Sequence, residues 1–242
     1  MTGTIINTAA VLAGGFIGLC VKKGLPERID QAVTQMLGLA TCVIGLNGLL
    51  SMMLSADPAT GAVSSSGELL LLVSLAAGAV IGELLGIDDR LNRLGDRIER
   101  KLRASNFSKG FVSASLLFCV GAMTIIGSLQ DGLTGDYRVL LIKSSLDFIA
   151  AIVLGASLGV GVPCAALTVL VYQGAITLLA GYLQNILVGD LLNQICMVGY
   201  AIVICIGINF FGVVKIKTAN LLPALLGPVM YNVTILLKTL WV

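Results

Sequence analysis

Residues 69–103, LLLLVSLAAGAVIGELLGIDDRLNRLGDRIERKLR, decide what kind of chain this is. The first part, 69–87, is apolar apart from Ser74 and Glu83. It is long enough to cross a hydrocarbon core of about 30 Å, which takes roughly 20 helical residues. The second part, 88–103, carries Arg90, Arg93, Arg97, Arg100, Lys101 and Arg103. Within it Leu91, Leu94, Ile98 and Leu102 recur at spacings of three and four. That pattern is an amphipathic helix lying at the membrane interface or on the bundle.

The same alternation extends to both ends of the chain. Of 15 basic residues, all but Arg138, Lys143 and Lys238 fall in three short stretches: Lys22 to Arg28, Arg90 to Lys109, and Lys215 with Lys217. Between them run apolar segments at 2–21, 34–54, 69–87, 110–130, 139–161, 163–186, 194–213 and 221–240. The fold class expected is therefore all-α, a polytopic transmembrane bundle of about eight helices in one integral membrane domain, 1–242. Basic loops follow the first, third and seventh segments, whereas loops 55–67, 131–137 and 187–193 hold only acidic charges. Lys and Arg are retained on the cytoplasmic side, so both chain ends are expected outside the cytoplasm of a bacterial-type inner membrane. The first segment reads as a span and not a signal peptide, because its charges follow it and no small-residue cleavage site appears. Residues 55–67, SADPATGAVSSSG, have the composition of a flexible loop.

Composition excludes several classes of function. The chain is 57% hydrophobic and 12% charged, too few polar groups to cover a soluble domain of this size. A net charge of +2, confined to loops, gives no nucleic-acid footprint. With no histidine, the usual metal ligand and general base are missing. Cys20, Cys42, Cys119, Cys164, Cys196 and Cys205 lie in apolar segments and form no C-x-x-C, which fits inert thiols. No enzyme activity, cofactor or metal is expected; the partner implied is the lipid bilayer.

The segments repeat. AGGFIG at 13–18 and AGAVIG at 77–82 each precede a similar turn, Gly24-Leu-Pro-Glu-Arg-Ile29 and Gly86-Ile-Asp-Asp-Arg-Leu91. A partial third copy, Ala150-Ala-Ile-Val-Leu-Gly-Ala-Ser-Leu-Gly159, matches residues 9–18 at both alanines and both glycines. This divides the chain into four hairpins, about 2–54, 69–130, 139–186 and 194–240. The stripes Gly14/Gly18, Gly78/Gly82 and Gly155/Gly159 let helix backbones approach closely. They predict a central layer made from the odd-numbered helices and are compatible with a homo-oligomer.

Ionisable groups inside a span are candidate functional residues, because burying them unpaired is costly. Asp147 lies nine residues after Arg138, about 13 Å deeper at 1.5 Å per residue. Lys143 stands one turn above it, either as its ion partner or reaching outward to the interface. Asn47, Gln173 and Asn209 add amides within spans. Gln130 and Asp131 fit a turn at the outer interface, or a site if the helix breaks at Gly127. Pro223 and Pro228 interrupt the last segment, and broken helices are tolerated where they are buried or line a cavity.

Ile126-Gly-Ser-Leu-Gln-Asp-Gly-Leu133, Lys143-Ser-Ser-Leu-Asp147, Tyr172-Gln-Gly174 and Lys215-Ile-Lys-Thr-Ala-Asn-Leu-Leu-Pro-Ala-Leu225 together resemble the YqgA/YdfK-like bacterial inner-membrane proteins. That family carries a label of unknown function. The resemblance implies class, compartment and topology, brings no substrate, and adds weight to Gln130, Asp131, Lys143 and Asp147. Two functions remain: a transporter or channel for a small ion or solute, and a non-transporting scaffold or envelope-signalling protein docking through 88–103. An acid at mid-depth separates them, since a scaffold has little use for one.

The charge pattern predicts topology directly. A reporter active only in the cytoplasm should give signal when fused after Arg103 or Lys217, and none after Ser65 or Asp190. Signal from Ser65 would overturn the arrangement.

Overall fold

A computed structural model describes residues 1–22, 27–57, 60–102, 107–183 and 189–240. In chain order the helices are α1 (Thr2–Lys22), α2 (Glu27–Met53), α3 (Glu68–Leu85), α4 (Ile87–Leu102), α5 (Phe107–Cys119), α6 (Ala122–Leu133), α7 (Arg138–Leu158), α8 (Gly161–Leu178), α9 (Ala180–Leu183), α10 (Asp190–Phe210) and α11 (Gly227–Leu240). A 3₁₀-helix, Thr218–Leu226, precedes α11. Lys23, Arg103 and residues 184–188 lie outside the described residues, as do the side chains of Leu94, Ile98, Leu102 and Lys238.

Polarity is inverted relative to a soluble domain. Leu69, Leu84, Leu167 and Tyr182 stand exposed, while Asn7, Asp131, Lys143, Asp147 and Gln173 are buried. Six described helices, α1, α2, α3, α7, α8 and α10, are long and apolar enough to cross a membrane. The fourth expected segment, 110–130, is not one straight span: α5 and α6 qualify only together and meet at a 62° bend. The eighth, 221–240, is divided at Gly227 into the 3₁₀-helix and α11. Pro223, lacking an N–H, lies within the 3₁₀ part, and Pro228 sits in the first turn of α11, where a missing donor costs nothing.

The tightest packing joins α1 to α7. Thr4, Asn7, Val11, Gly14 and Gly18 form the buried face of α1, and Leu140, Ser144, Asp147, Ala151, Leu154 and Leu158 that of α7. Spacings alternating three and four give a coiled-coil-like seam. The two helices run parallel, because Gly3 faces Leu140, Gly14 faces Ala151 and Gly18 faces Gly155. A Cβ on Gly14 would lie 2.5 Å from the Phe148 carbonyl oxygen, and one on Gly18 would overlap the Ile152 carbonyl oxygen. The expected single layer of odd-numbered helices does not form as such. Gly78 and Gly82 of α3 receive Ala224 and Asn220 of the 3₁₀-helix, and α2 packs its Gly38 and Gly45 on Gly207 and Ile204 of α10. Gly159 also leaves its stripe: at φ +82° it terminates α7, a conformation only glycine adopts easily.

Two loops differ from expectation. Residues within 55–67 form an antiparallel hairpin, Leu54–Ala56 against Val63–Ser65. Its turn is fixed by the Thr60 hydroxyl donating to Asp57 Oδ2 (2.7 Å) and by Gly61 at φ +68°. Asn209 closes the 211–217 loop, its Nδ2 donating to the Ile216 carbonyl and its Oδ1 accepting from the Ile216 N–H, both at 2.7 Å. At the same end of the bundle Glu83 Oε1 pairs with Lys217 (2.6 Å) and Glu83 Oε2 accepts from buried Asn220 (2.6 Å). The Glu83 hydrogen bond raises the pKa of Lys217 above its ordinary value.

The seam predicts an unequal response to glycine replacement. Gly18→Leu and Gly82→Leu should each lower the thermal stability of purified protein, by about 1–3 kcal/mol or more. Gly174→Ala, whose methyl would meet only Met1 Cε at 3.9 Å, should be neutral or slightly stabilising. Normal melting of both leucine variants would mean these faces look at lipid.

Candidate functional site

The half of the α1–α7 seam that holds the starts of both helices is polar. Asp147 is the tenth of the 21 residues of α7, so it sits at half the length of a helix matched to the bilayer. Its Oδ1 receives Lys143 Nζ at 2.6 Å, and its Oδ2 receives Asn7 Nδ2 from α1 at 3.1 Å. All three residues are buried: Asp147 is 4% exposed, Lys143 8% and Asn7 0%. The ion pair is thus internal and does not reach out to the interface. Below it the seam narrows to Val11, Gly14, Ala151 and Gly18, which closes the cluster on that side.

Two more helices complete the surroundings. The Thr4 hydroxyl of α1 lies 3.1 Å from the Thr177 hydroxyl of α8, and Gly15 abuts Pro163. The helices therefore run antiparallel, and Gln173, one turn before Thr177, comes level with Asn7. Gly132 of α6 faces the Thr177 carbonyl, so Ser128 lies level with Gln173. Gln173 is 0% exposed, and among the described residues neither of its amide atoms has a hydrogen-bond partner, nor do Asn7 Oδ1 and Ser128 Oγ. A buried polar group left unsatisfied costs about 1–3 kcal/mol, and here three such side chains occur at one level of the bundle. Among the described residues no group of three or more Cys, Asp or Glu is placed to hold a metal ion.

The structure separates the other candidates from this cluster. Asp131 is buried, but its Oδ2 accepts from the N–H groups of Gly3 (3.0 Å) and Thr4 (3.4 Å) and lies 3.0 Å from the Met1 amino group. A carboxylate there neutralises the positive end of α1, so Asp131 anchors one helix to another. Gln130 is exposed. The helix does break in this region, at Val120–Gly121 with Gly121 at φ +129° and not at Gly127, which packs against Leu140. Asn47 is exposed on α2, away from the cluster, and Asn209 is a loop closure. Asp136, in the loop between α6 and α7, pairs with Arg138 (2.6 Å), whose guanidinium hydrogen bond pulls its pKa down to about 2.

Asn7, Thr4, Ser128 and Thr177 were not legible as members of the site. Thr4 and Asn7 fall in the same alternating series as Val11, Gly14 and Gly18, and that register was the available signal.

Inverted polarity, six long apolar helices and a seventh bent pair define a multi-pass helical membrane protein. A family model described as "Protein of unknown function (DUF554)" matches residues 2–233, and the chain belongs to that family. It is 35% identical over 228 residues to the "Uncharacterized membrane protein YdfK" of Bacillus subtilis (strain 168), covering 94% of each chain. It is 29% identical over 231 residues to the "Uncharacterized protein YqgA" of Escherichia coli (strain K12), covering 93% of each. No solved structure matches the chain.

The buried pair makes a quantitative prediction. Asp147→Asn leaves the Lys143 ammonium buried and uncompensated, which should cost about 3–5 kcal/mol of stability. Adding Lys143→Met should restore most of it, read as thermal unfolding of both variants in detergent. A double variant no more stable than the single one would mean Lys143 and Asp147 are not coupled.

Proposed function

We propose that this protein is a transporter or channel for a small ion or solute, and that Asp147, Lys143, Asn7, Gln173 and Ser128 form its binding point. The observation that carries this is Gln173. It is fully buried, with both amide atoms unpaired among the described residues, close in level to the unpaired Asn7 oxygen and the ion pair. A purely structural network would satisfy its own members. This one keeps acceptors and donors free where a guest with its own hydrogen bonds or charge offsets their desolvation. The broken α5–α6 pair supports the same reading, since interrupted helices are how membrane transporters expose backbone groups.

The compartment proposed is a bacterial cytoplasmic membrane, with both chain ends on the outer side. The support is the charge distribution: the described basic clusters gather at the end of the bundle that holds α4 and the 211–217 loop, the side on which Lys and Arg are retained.

Liposomes containing the purified protein should pass Na⁺, K⁺, H⁺ or a small solute in a flux screen. Gln173→Leu should abolish that flux while leaving the fold intact, and should abolish any ion-dependent rise in melting temperature. If Gln173 is only an unsatisfied core residue, Gln173→Leu should instead melt higher, with wild-type inert in every flux assay. That pair of results would overturn the proposal.

A further inference from the structure

Two adjoining cavities at the basic end of the bundle are not used by the mid-span cluster. One, about 710 Å³ and of mixed polarity, is lined by Asp88, Asn92, Ser108, Lys109, Lys215 and Thr218, among others. The second, about 350 Å³ and almost wholly apolar, lies between α5, α8, α10 and the 3₁₀-helix, lined by Phe111, Leu116, Ile125, Tyr172 and Leu225. Leu91 and Val112 line both, so the two adjoin at these side chains. We infer that together they hold one anionic phospholipid of the bilayer, its phosphate between Lys109 and Lys215 and an acyl chain in the apolar slot.

Charge supports the headgroup position. Neither Lys109 nor Lys215 has a carboxylate partner among the described residues. Lys109 Nζ stands over the Phe210 ring, 5.7 Å from the centroid. The one acid lining the cavity, Asp88, already accepts from Asn92 Nδ2 at 2.8 Å. Two cations against one engaged acid leave room for a phosphate, and basic residues near a membrane surface favour anionic lipid.

The slot supports the tail. Its volume falls at the lower end of ordinary ligand pockets, about 300–1,000 Å³. Its apolar wall gives an ion nothing to coordinate, and a dry void forfeits the dispersion contacts of its lining. Its lining runs from Leu91 of α4 to Cys119, Gly121 and Ile125 on both sides of the α5–α6 break. At that depth acyl chains are the solvent. Threading one past Val112 fills the space under the bend and braces α5 against α8.

The test uses the full chain in detergent, dosed with phosphatidylglycerol, with phosphatidylcholine of the same acyl chains, or with inorganic phosphate. Binding is read by native mass spectrometry and by melting temperature. Phosphatidylglycerol should form a one-lipid adduct and bind about tenfold more tightly than phosphatidylcholine, whereas inorganic phosphate should not shift the melt. Lys109→Gln with Lys215→Gln, both exposed positions, should erase the difference between the two lipids. Val112→Phe, which narrows the passage, should weaken both. Equal affinity of the wild type for the two lipids overturns the inference without any variant. So does stabilisation by inorganic phosphate alone, which would mark a free-anion site, or unchanged lipid binding by a folded Val112→Phe protein.

Discussion

The closeness of α1 and α7 is the constraint from which the rest follows. Lipid gives helices no hydrophobic reason to associate, so packing and internal hydrogen bonds must do it. Gly14, Gly18 and Gly155 remove the side chains that would hold the axes apart, and backbone meets backbone. Once that half of the seam is fixed, the other half has a fixed spacing too, and Asn7 arrives within hydrogen-bond distance of Asp147. A looser seam would leave the acid to its lysine alone. The tight glycine half and the polar half are one device, the first setting the geometry of the second.

Around this seam each remaining helix finds a different partner: α2 lies on α10, α3 on the 3₁₀-helix and α5 on α8. Glycines mark all three contacts, which the apolar faces alone would leave unspecified. Carboxylates and amides at the bundle ends then lock the arrangement. Asp131 caps α1 from α6, and Asn220 joins the end of α3 to the start of α4 through Glu83 and the Asp88 N–H. These ties place polar groups where each has several partners, unlike Gln173 at mid-depth.

Class was legible in the sequence because bilayer thickness imposes a length on apolar runs and loops carry the basic charge. The ion pair was legible because Lys143 and Asp147 are one turn apart on one helix. Which helices touch was not. Glycine spacing identifies a surface able to pack closely but not the surface it meets, so Gly78 and Gly82 pointed to a layer they do not join. Asn7 was not legible as a site residue, because only the parallel register of α1 with α7 brings it to Asp147. Asn209 and Asp131 looked like members of the cluster by residue type alone. Their partners are backbone groups brought near by the fold, and residue type does not encode those.

The Asn7–Asp147 bond closes across 140 residues of chain, which gives the assembly a timetable. At a synthesis rate of about 5–20 residues per second, roughly 7–28 seconds separate the emergence of the two helices. Over that interval α1 is already in the membrane with its polar and glycine face unmatched. The N-terminal helix must therefore be held at the insertion machinery, or covered by some other surface, until α7 enters beside it.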